Sequence, residues 1–436
     1  MSRRVVITGL DCITPLATSA RESWTNLLSS KPCFTPITSL SNYKRDYRPF
    51  FKCLPSNLKI GKCHTEKSQE FQELSKTILN AQDERRMTDS VKNSVLTAYN
   101  ALKSANLLIQ DTHTLDNSLV DRKRVSTIIG TGLPPMEEIH NATLQFHDSQ
   151  KRPSPFFIPK ILSNMISGSI SIKFQTLGPS QTVSTACASG NNAIIDGFHN
   201  IKNDYSDVAI VGATESSLHP LTISGFHRMK SLSSDSISRP FDVERDGFVI
   251  SEGTGILILE ELSHAMKRNA TIYAELRNVG LSSDAYHVTS PRSDGDGARR
   301  AMQMALKGVN PNDIDYINAH ATSTPVGDVS ELNAIVNTFA EPSNRKKLLH
   351  VSSNKGAMGH LLGAAGIVES IFTILSLHEG ILPHTMNLSN ESKVENPLIN
   401  LIKDKPLKHD NLNFALCNSF GFGGVNTSLL FSKWKF

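Results

Sequence analysis

The stretch QTVSTACASGNNAII, residues 181–195, passes from alternating Thr and Val to small residues and then to an apolar run. This order predicts a strand over 181–186 and a helix over 187–203, with Cys187 where the two meet. The three small residues after Cys187 would let such a helix pack closely between two layers. A thiol at a helix N-terminus lies beside unpaired N–H groups, which lower its pKa. Buried cysteines are also common as small core residues, so the position alone leaves both roles open.

The composition is that of a folded globular protein, with 39% hydrophobic and 20% charged residues among 436. This length favours two domains or one duplicated domain. Lys and Arg number 45 against 41 Asp and Glu, so the net charge gives no indication of nucleic-acid binding. The most apolar run, residues 361–377, contains Glu369. We predict a buried core helix there and no transmembrane segment.

The sequence contains no motif for a metal ion or a nucleotide cofactor. Six cysteines, at positions 12, 33, 53, 63, 187 and 417, lack the Cys-x-x-Cys spacing of zinc sites. We therefore expect reduced thiols and no metal site. The pair Cys63 and His64 fits no metal motif and is predicted to lie in a loop. The segment GTGLPP, residues 130–135, lacks the third glycine of a dinucleotide fingerprint, so we expect no NAD site.

Ten short apolar runs, most of them ending in Gly or small residues, alternate with helical patterns. The runs form two series of five, at 4–10, 125–132, 181–186, 207–214 and 255–262, then at 272–282, 314–322, 349–354, 414–420 and 427–434. Helices are predicted at 90–107, 187–203, 297–307, 328–338 and 361–378. Apolar strands that alternate with helices predict buried, largely parallel sheets. The repeated series predicts an internal duplication into halves 1–262 and 263–436. The irregular segments 31–85 and 231–247 are predicted to be a surface excursion and a solvated loop.

Two histidines in the second half each follow a strand-like run. His320 opens HATSTPVGD, and His360 closes SSNKGAMGH. An activated thiol needs a base or a charged partner from elsewhere in the chain. Ligands bind at the ends of strands in open α/β sheets, so we expect both side chains near Cys187. Each histidine taken alone is more often a surface or core residue, since the chain contains 15.

Six segments together resemble the signature blocks of the elongating β-ketoacyl-[acyl-carrier-protein] synthases, condensing enzymes of fatty-acid synthesis in the thiolase-like superfamily. The blocks are STACASG, RPFDVERDGFV, SSDAYHVTSP, NAHATSTPVGD, SSNKGAMGHLLGAAGIVES and LCNSFGFGGVN. They follow the family's order, and matching blocks extend from Val5 to Leu430. The chain is most similar to the stand-alone type II enzyme, particularly its fungal mitochondrial form. The resemblance implies an α/β, thiolase-like fold, internally duplicated, with layered helices around two mostly parallel sheets.

The resemblance also implies a decarboxylative Claisen condensation that lengthens an acyl chain by two carbons. Cys187 is expected to take the acyl group from an acyl-carrier protein as a thioester. The backbone N–H groups of Cys187 and Phe420 are expected to form the oxyanion hole. His320 and His360 are expected to stabilise the enolate that forms when malonyl-carrier protein loses CO₂.

Further residues match supporting positions of the family. Lys355 and Glu369 match a pair in which the lysine keeps His360 neutral and the glutamate balances the lysine. Thr322 and Thr324 match threonines that hydrogen-bond the phosphopantetheine arm, although turn formation explains them equally well. Phe420 also matches a gating aromatic residue. The basic residues expected to contact an acidic carrier protein are Arg85, Arg86, Lys151, Arg152 and Lys230.

The resemblance further implies the partners and the location of the protein. The substrates would arrive on the phosphopantetheine of the acyl-carrier protein, so no free cofactor is expected. A homodimer is expected, and no nucleic-acid partner. The mitochondrion is the expected compartment. The cytosol is the alternative, because Arg3 and Arg4 belong to no amphipathic presequence.

Two related functions fit less well. Thiolases use a second cysteine near the C-terminus, but Cys417 is followed by NSFGFGG, which is the synthase pattern. Non-catalytic partner subunits have lost the nucleophile, whereas Cys187 and both histidines are present. The chain departs from the common pattern at Ala321, at Val425 and at the pair Pro134–Pro135. We expect activity to survive the alanine, and the prolines leave the chain-length preference open.

Overall fold

The computed structural model describes residues 3–40, 54–55, 57–339, 345, 347–392 and 396–435. A large sheet in this part contains the strands β1 Val5–Ile13, β2 Val125–Gly130, β3 Ser180–Val183, β4 Val208–Glu215, β5 Gly253–Glu261, β6 Ala274–Ser283, β7 Tyr316–Asn318, β8 Leu349–Ser352, β9 Ile399–Leu401, β10 Phe414–Gly421 and β11 Val425–Lys433. Two short pairs lie outside it, Thr35–Pro36 with Lys59–Ile60 and Ile381–Leu382 with Leu407–Lys408. All ten predicted strands are therefore present.

The helices surround this sheet. They are α1 Ala20–Leu28, α2 Gln69–Ile78, α3 Ala81–Arg86, α4 Asp89–Ser104, α5 Met136–Ser149, α6 Phe157–Ile161, α7 Met165–Phe174, α8 Ser189–Lys202, α9 Pro220–Arg228, α10 Leu262–Lys267, α11 Asp296–Ala305, α12 Pro325–Phe339, α13 Lys355–Met358 and α14 Ala365–Glu379. The five helices predicted from the sequence correspond to α4, α8, α11, α12 and α14.

The two halves of the sheet repeat one topology. The strand order is β9-β8-β7-β10-β11-β6-β1-β5-β4-β2-β3. Outward from the middle, the first half runs β1-β5-β4-β2-β3. The second half runs β6-β11-β10-β7-β8, with β9 added at its edge. Corresponding strands therefore occupy corresponding places, which confirms the predicted internal duplication.

The prediction of two mostly parallel sheets is wrong in both respects. β1 pairs with β5 on one side and with β6 on the other, so the halves are hydrogen-bonded into one sheet. Five of the ten strand pairs in this sheet are parallel and five are antiparallel. A helical crossover gives a parallel pair, whereas the tight turn between β10 and β11 gives an antiparallel one.

Two helices lie between the halves. α8 packs against β2 and β4 of the first half, whereas α14 packs against β5 of the first half and β10 of the second. The outer faces are covered by α4 on the first half and by α11 on the second. The segment Leu362–Glu379 has the length and apolar composition of a membrane span, but 89% of it is buried inside the protein. This burial agrees with the core helix predicted from the sequence.

Glycines allow α8 and α14 to meet backbone to backbone. A Cβ atom added to Gly190 would lie 2.5 Å from the backbone nitrogen of Ile367, and one added to Gly366 would lie 2.6 Å from an Asn191 side-chain oxygen. Both distances are too short for any larger residue. The expectation that the small residues after Cys187 serve close packing is confirmed.

The described part of segment 31–85 is only partly the surface excursion that its composition predicts. Residues 41–53 and 56 of it lie outside the described residues, but α2 and α3 belong to it. Ile37 and Ile60 are buried in the apolar cluster that contains Cys187. These two residues therefore help to enclose the thiol.

Candidate active site

Cys187 lies in a tight turn between β3 and α8. β3 ends at Val183 and α8 begins at Ser189, so the predicted strand ends too late and the predicted helix begins too early. Ala186 has φ +50°, in the left-handed region. The Ser189 hydroxyl accepts from the N–H of Thr185 at 2.9 Å and donates to the carbonyl of Ala186 at 2.7 Å. This side chain stabilises the strained turn that carries the thiol.

A cavity of about 550 Å³ opens beside the sulfur. Its polar end is formed by residues from loops that follow β3, β7 and β8. The residues predicted from the sequence that line it are Cys187, His320, Thr322, Thr324, His360, Phe420 and Lys230. The fold therefore places the thiol of one half and the histidines of the other around a single space.

The imidazole of His360 is next to the thiol. Its Nε2 lies 3.1 Å from the Sγ atom of Cys187. The ring of His320 stands nearly perpendicular to that of His360, at 5.4 Å between centroids. Phe248 contacts His360 edge-on at 4.9 Å, and Phe420 contacts His320 at 5.5 Å. These aromatic contacts hold both imidazole planes.

Burial dominates the pKa values of these groups. It raises the pKa of the Cys187 thiol to about 12, and the positive charge of Lys355 opposes this rise. The prediction that the helix N-terminus lowers this pKa is wrong, because the cost of desolvating a thiolate is larger. Burial, followed by the charge of Lys355, holds the pKa values of His320 and His360 well below the usual range. Both imidazoles are therefore neutral at pH 7.

Lys355 and Glu369 form a fully buried ion pair. Burial raises the pKa of the Glu369 carboxyl to about 7, while the Lys355 ammonium lowers it. The same ammonium lowers the pKa values of both histidines, so the pair acts on the cavity through charge. Removal of either partner would leave an unpaired buried charge, which is strongly destabilising.

Two buried carboxylates hold the loop after β7. Glu331 accepts a hydrogen bond from the N–H of His320 at 3.0 Å, and Asp328 accepts one from the N–H of Thr322 at 2.9 Å. The two acids are three residues apart on α12, and therefore on one face of it. In the sequence both residues match acidic positions of the family's block, with a helix N-cap as the alternative role for Asp328. Ala321 keeps an ordinary backbone conformation, so an alanine fits this loop.

The segment 231–247 is not a solvated loop. Phe241 is fully buried, and its N–H donates to Asp328 at 2.8 Å. The guanidinium of Arg245 donates to the carbonyls of Thr324 at 3.2 Å and Pro325 at 3.0 Å. Arg245 and Asp242 bind backbone groups, whereas Asp235 and Glu244 stay exposed. The charge of the segment therefore did not predict which of its residues are buried. The segment supports the loop that carries both threonines.

Family models identify both parts of the chain. The model of the β-ketoacyl synthase N-terminal domain matches residues 2–265, and that of the β-ketoacyl synthase C-terminal domain matches residues 273–389. The chain belongs to the β-ketoacyl synthase family. It is therefore an acyltransferase, and its fold is the thiolase-like fold that the resemblance implies.

Relatives match this β-ketoacyl synthase over essentially its whole length. A 3-oxoacyl-[acyl-carrier-protein] synthase homolog of Saccharomyces cerevisiae is 51% identical over 100% of both chains. A mitochondrial 3-oxoacyl-[acyl-carrier-protein] synthase of Arabidopsis thaliana is 39% identical, over 99% of this chain and 93% of the relative. A putative mitochondrial enzyme of the same name from Schizosaccharomyces pombe is 38% identical over 99% of both.

Solved structures of the family have the same fold. A β-ketoacyl synthase from Burkholderia phymatum superposes with a TM-score of 0.84 at 27% identity, over 99% of this chain and 100% of that one. A ketosynthase solved with its type II polyketide acyl-carrier protein gives a TM-score of 0.82 at 27% identity, over 100% of both chains.

The five basic residues predicted to contact a carrier protein fall into two places on the β-ketoacyl synthase. Lys230 lines the cavity. The other four are exposed and do not line it. Arg85 and Arg86 end α3, and Lys151 and Arg152 follow α5. The guanidinium of Arg86 lies 5.4 Å from the ring centre of Phe156, which connects α3 to the segment after α5.

The other cysteines that the structure describes do not line the cavity of the β-ketoacyl synthase. Cys417 is fully buried, does not line the cavity, and has a pKa raised to about 12 by burial, as expected of a structural residue. Cys12, Cys33 and Cys63 are also free thiols, and Cys53 lies outside the described residues. Within the described part of the chain, no group of three or more His, Cys, Asp or Glu side chains is placed to hold a metal ion.

Proposed function

We propose that this chain is an elongating 3-oxoacyl-[acyl-carrier-protein] synthase. It condenses malonyl-carrier protein with an acyl chain held on Cys187, with loss of CO₂, in type II fatty-acid synthesis. The observation that carries the proposal is the 3.1 Å contact between His360 Nε2 and the Cys187 sulfur, in a cavity that His320 also lines. One nucleophile and two neutral imidazoles are the groups that the two half-reactions require.

The first half-reaction transfers the acyl group. Because the thiol pKa is raised, Cys187 needs a base at hand, and His360 Nε2 takes its proton as the sulfur attacks the acyl thioester. The pantetheine sulfur leaves and receives that proton, and Cys187 becomes a thioester. The N–H groups of Cys187 and Phe420 receive the negative oxygen. The Ser419 hydroxyl, which donates to the Cys187 carbonyl at 2.9 Å, supports this arrangement because it ties the end of β10 to the nucleophile turn.

The second half-reaction forms the new carbon–carbon bond. The C–C bond to the malonyl carboxylate breaks, CO₂ leaves, and the electron pair forms an enolate. For this step His360 carries its proton on Nε2, the tautomer opposite to the one that accepts the thiol proton, and it donates this N–H group to the enolate oxygen together with His320. Neutral imidazoles suit this task because no proton is lost to the enolate. The enolate carbon attacks the Cys187 thioester and expels the sulfur, which takes a proton from water. The Lys355 ammonium, together with burial, keeps both imidazoles neutral, and Glu369 balances the charge of Lys355.

The substrates reach this cavity on the phosphopantetheine of an acyl-carrier protein. The hydroxyls of Thr322 and Thr324 lie 3.0 Å apart on the wall of the cavity, where they are available to the amide groups of the arm. Lys230 at the cavity and the exposed cations on α3 and after α5 contact the acidic carrier. No further cofactor is needed, since both half-reactions use groups of the protein and its substrates. A ketosynthase of the same fold has been solved with its carrier protein, which supports this partner.

The protein is proposed to act as a homodimer. β3 is an edge strand of the sheet, and its unpaired N–H and C=O groups are open to another strand. Large apolar side chains are exposed nearby in sequence, namely Phe146 on α5, Ile158 on α6, Ile172 on α7 and Leu177. A second copy would cover both the edge and these side chains. Sedimentation analysis should find a dimer, and Ile172→Asp should dissociate it.

Two further expectations stay predictions. The first half, 1–262, supplies the nucleophile, and the second half, 263–436, supplies both histidines. The mitochondrion is the proposed compartment, because relatives from Schizosaccharomyces pombe and Arabidopsis thaliana are named as mitochondrial. Fluorescence microscopy of the tagged chain would test the location.

Mass spectrometry of the intact protein tests the reaction. Incubation with an acyl-carrier protein should add one acyl group, and peptide mapping should place it on Cys187. Malonyl-carrier protein should then remove that group and yield a 3-oxoacyl product two carbons longer. Cys417→Ser is the matched control, since that thiol is buried outside the cavity, and it should still be acylated. An acyl group on another residue, or no longer product, would refute the proposal.

A further inference from the structure

Glu215 is a buried carboxylate that neither half-reaction uses. It ends β4, is 2% exposed, and has one oxygen that accepts from the N–H of Gly132 at 3.0 Å and of Gly363 at 3.2 Å. Its other oxygen accepts from the Ser217 hydroxyl. The two glycines belong to separate segments, the loop after β2 and the segment that follows His360. A single carboxylate therefore joins a loop of the first half to a segment of the second.

The space around this carboxylate admits only glycine at both positions. A Cβ atom on Gly132 would lie 2.6 Å from Glu215 Oε2, and one on Gly363 would lie 2.3 Å from the nitrogen of Gly132. Such contacts are impossible without moving one of the segments. The two glycines and Glu215 therefore form one tightly packed junction.

The junction is connected to the apolar cluster that contains Cys187. Leu133 follows Gly132, Leu362 precedes Gly363, and both leucines pack in the apolar cluster that contains Cys187. Leu362 has φ +49°, a left-handed conformation that costs a bulky residue free energy. The hydrogen bond from Gly363 to Glu215 holds the chain directly after this strained residue.

Besides Glu215, the loop after β2 is held at Thr131, whose N–H donates to the carbonyl of Val183 at 3.0 Å and whose hydroxyl donates to the carbonyl of Leu133 at 3.2 Å. Its N–H groups at Gly132 and Leu133 both interact with Glu215, and Pro134 and Pro135 have no N–H to donate. By contrast, His360 is held on its own account, because its N–H donates to Val249 at 2.8 Å and its carbonyl accepts from Ser251 at 3.0 Å. Loss of Glu215 would therefore release the leucines beside the sulfur more than it would release the imidazole.

We propose that Glu215 is a positioning residue for acyl transfer, which holds Leu133 and Leu362 in the apolar cluster around Cys187 and so fixes the position of the nucleophile. This inference rests on the proposed function. It separates the two half-reactions, because acylation requires the sulfur that this cluster encloses, whereas decarboxylation uses His320 and His360.

The test compares the two half-reactions in purified variants. Glu215→Ala should slow acylation of Cys187, followed by intact mass, by about tenfold or more, since two buried N–H groups lose their acceptor. Release of CO₂ from malonyl-carrier protein should stay within about threefold of the wild type, because both imidazoles keep their own anchors. Glu215→Gln should restore acylation, because its amide oxygen can accept from both glycines.

Two further variants keep the test decisive. Glu215→Asp is one methylene shorter and cannot reach both glycines, so it should show the same selective loss if the alanine variant folds poorly. Glu252→Ala removes another buried carboxylate that accepts a backbone N–H, from Cys63 at 3.0 Å, and should produce no difference between the two steps. Equal losses of both half-reactions in the Glu215 variants would refute the positioning role and leave the proposed function intact.

Alkylation of Cys187 by iodoacetamide gives a readout that needs no carrier substrate. The groups whose charge acts on this thiol are Lys355, Glu215 and Glu369, and His360 contacts it. Ionised Glu215 raises the thiol pKa, so Glu215→Gln should shift the alkylation profile to lower pH. An unshifted profile would refute the coupling between Glu215 and the thiol. A wild-type protein that is alkylated but never acylated would instead refute the proposed function.

Discussion

Substitution at Cys187 and at His360 should separate the two half-reactions of the condensation. His360→Ala removes one of the two N–H donors that face the enolate oxygen and leaves His320 in place. Loss of one such donor costs roughly 10²–10³ in rate, or about 2.7–4 kcal/mol of transition-state stabilisation. Release of CO₂ from malonyl-carrier protein should fall by that factor. The thiol remains, so an acyl-enzyme should still form, more slowly because the base 3.1 Å from the sulfur is gone.

Cys187→Gln should give the opposite result. The variant has no thiol to acylate, so no longer chain can form. Its side-chain amide places a carbonyl where the thioester carbonyl would lie, while both histidines keep their positions. Decarboxylation should therefore persist at the wild-type rate or above.

The assay follows radiolabelled CO₂ and acyl-enzyme mass in the same samples. His350→Ala is a matched control, because His350 is also a buried histidine with a lowered pKa, but it does not line the cavity. The rates of both steps in His350→Ala should equal those of the wild type after correction for any loss of folded protein. Normal decarboxylation by His360→Ala, or chain elongation by Cys187→Gln, would refute the assignment of the two steps.

Three further results are expected. Lys230→Glu and Arg152→Glu should raise KM for carrier-bound substrates and leave KM for short pantetheine substrates unchanged. Lys408→Glu, at an exposed lysine, is the control. Equal effects on both types of substrate would contradict a docking role. Because the folded-state pKa of His320 lies below its unfolded value, the unfolded state binds more protons below about pH 6.5, and stability is lost as the pH falls. Below that pH, the free energy of unfolding of His320→Gln should therefore rise relative to that of the wild type by about 1.4 kcal/mol for each pH unit, measured by denaturant unfolding. If the two proteins show the same dependence of this free energy on pH, His320 is not a neutral buried histidine. Asp328→Ala should raise KM for pantetheine substrates and lower the free energy of unfolding by roughly 1–3 kcal/mol, because the N–H of Thr322 loses its acceptor. An unchanged KM would contradict the proposal that Asp328 supports the loop that carries Thr322 and Thr324.

The elements of the fold were predictable because buried strands and helices carry their own apolar periodicity. The ten strand-like runs and the core helix containing Glu369 are examples. The joining of the halves was not predictable, because the pairing of β1 with β6 depends on which strand edges meet in space. The antiparallel pairs were missed for the same reason, since strand direction is a property of the assembled sheet.

The candidate site was predictable in its residue types but not in its energetics. Cys187, His320 and His360 stand out by their place after strand-like runs and by resemblance to the family. The raised thiol pKa was not predictable, because burial depends on residues distant in sequence, such as Ile37 and Ile60. Glu215 gives no signal in the sequence, since its partners Gly132 and Gly363 are far away in the chain.

The contact between α8 and α14 helps to determine the distance between the Cys187 sulfur and the His360 imidazole. The sulfur precedes one helix and the imidazole precedes the other, so the distance between them depends on how closely two backbones approach at Gly190 and Gly366. Replacement of either glycine by alanine would push the two helices apart. The distance between His360 and Cys187 would then increase. The distance between His360 Nε2 and the Cys187 sulfur, and with it the proton transfer, therefore depends on two glycines that lie outside the substrate cavity.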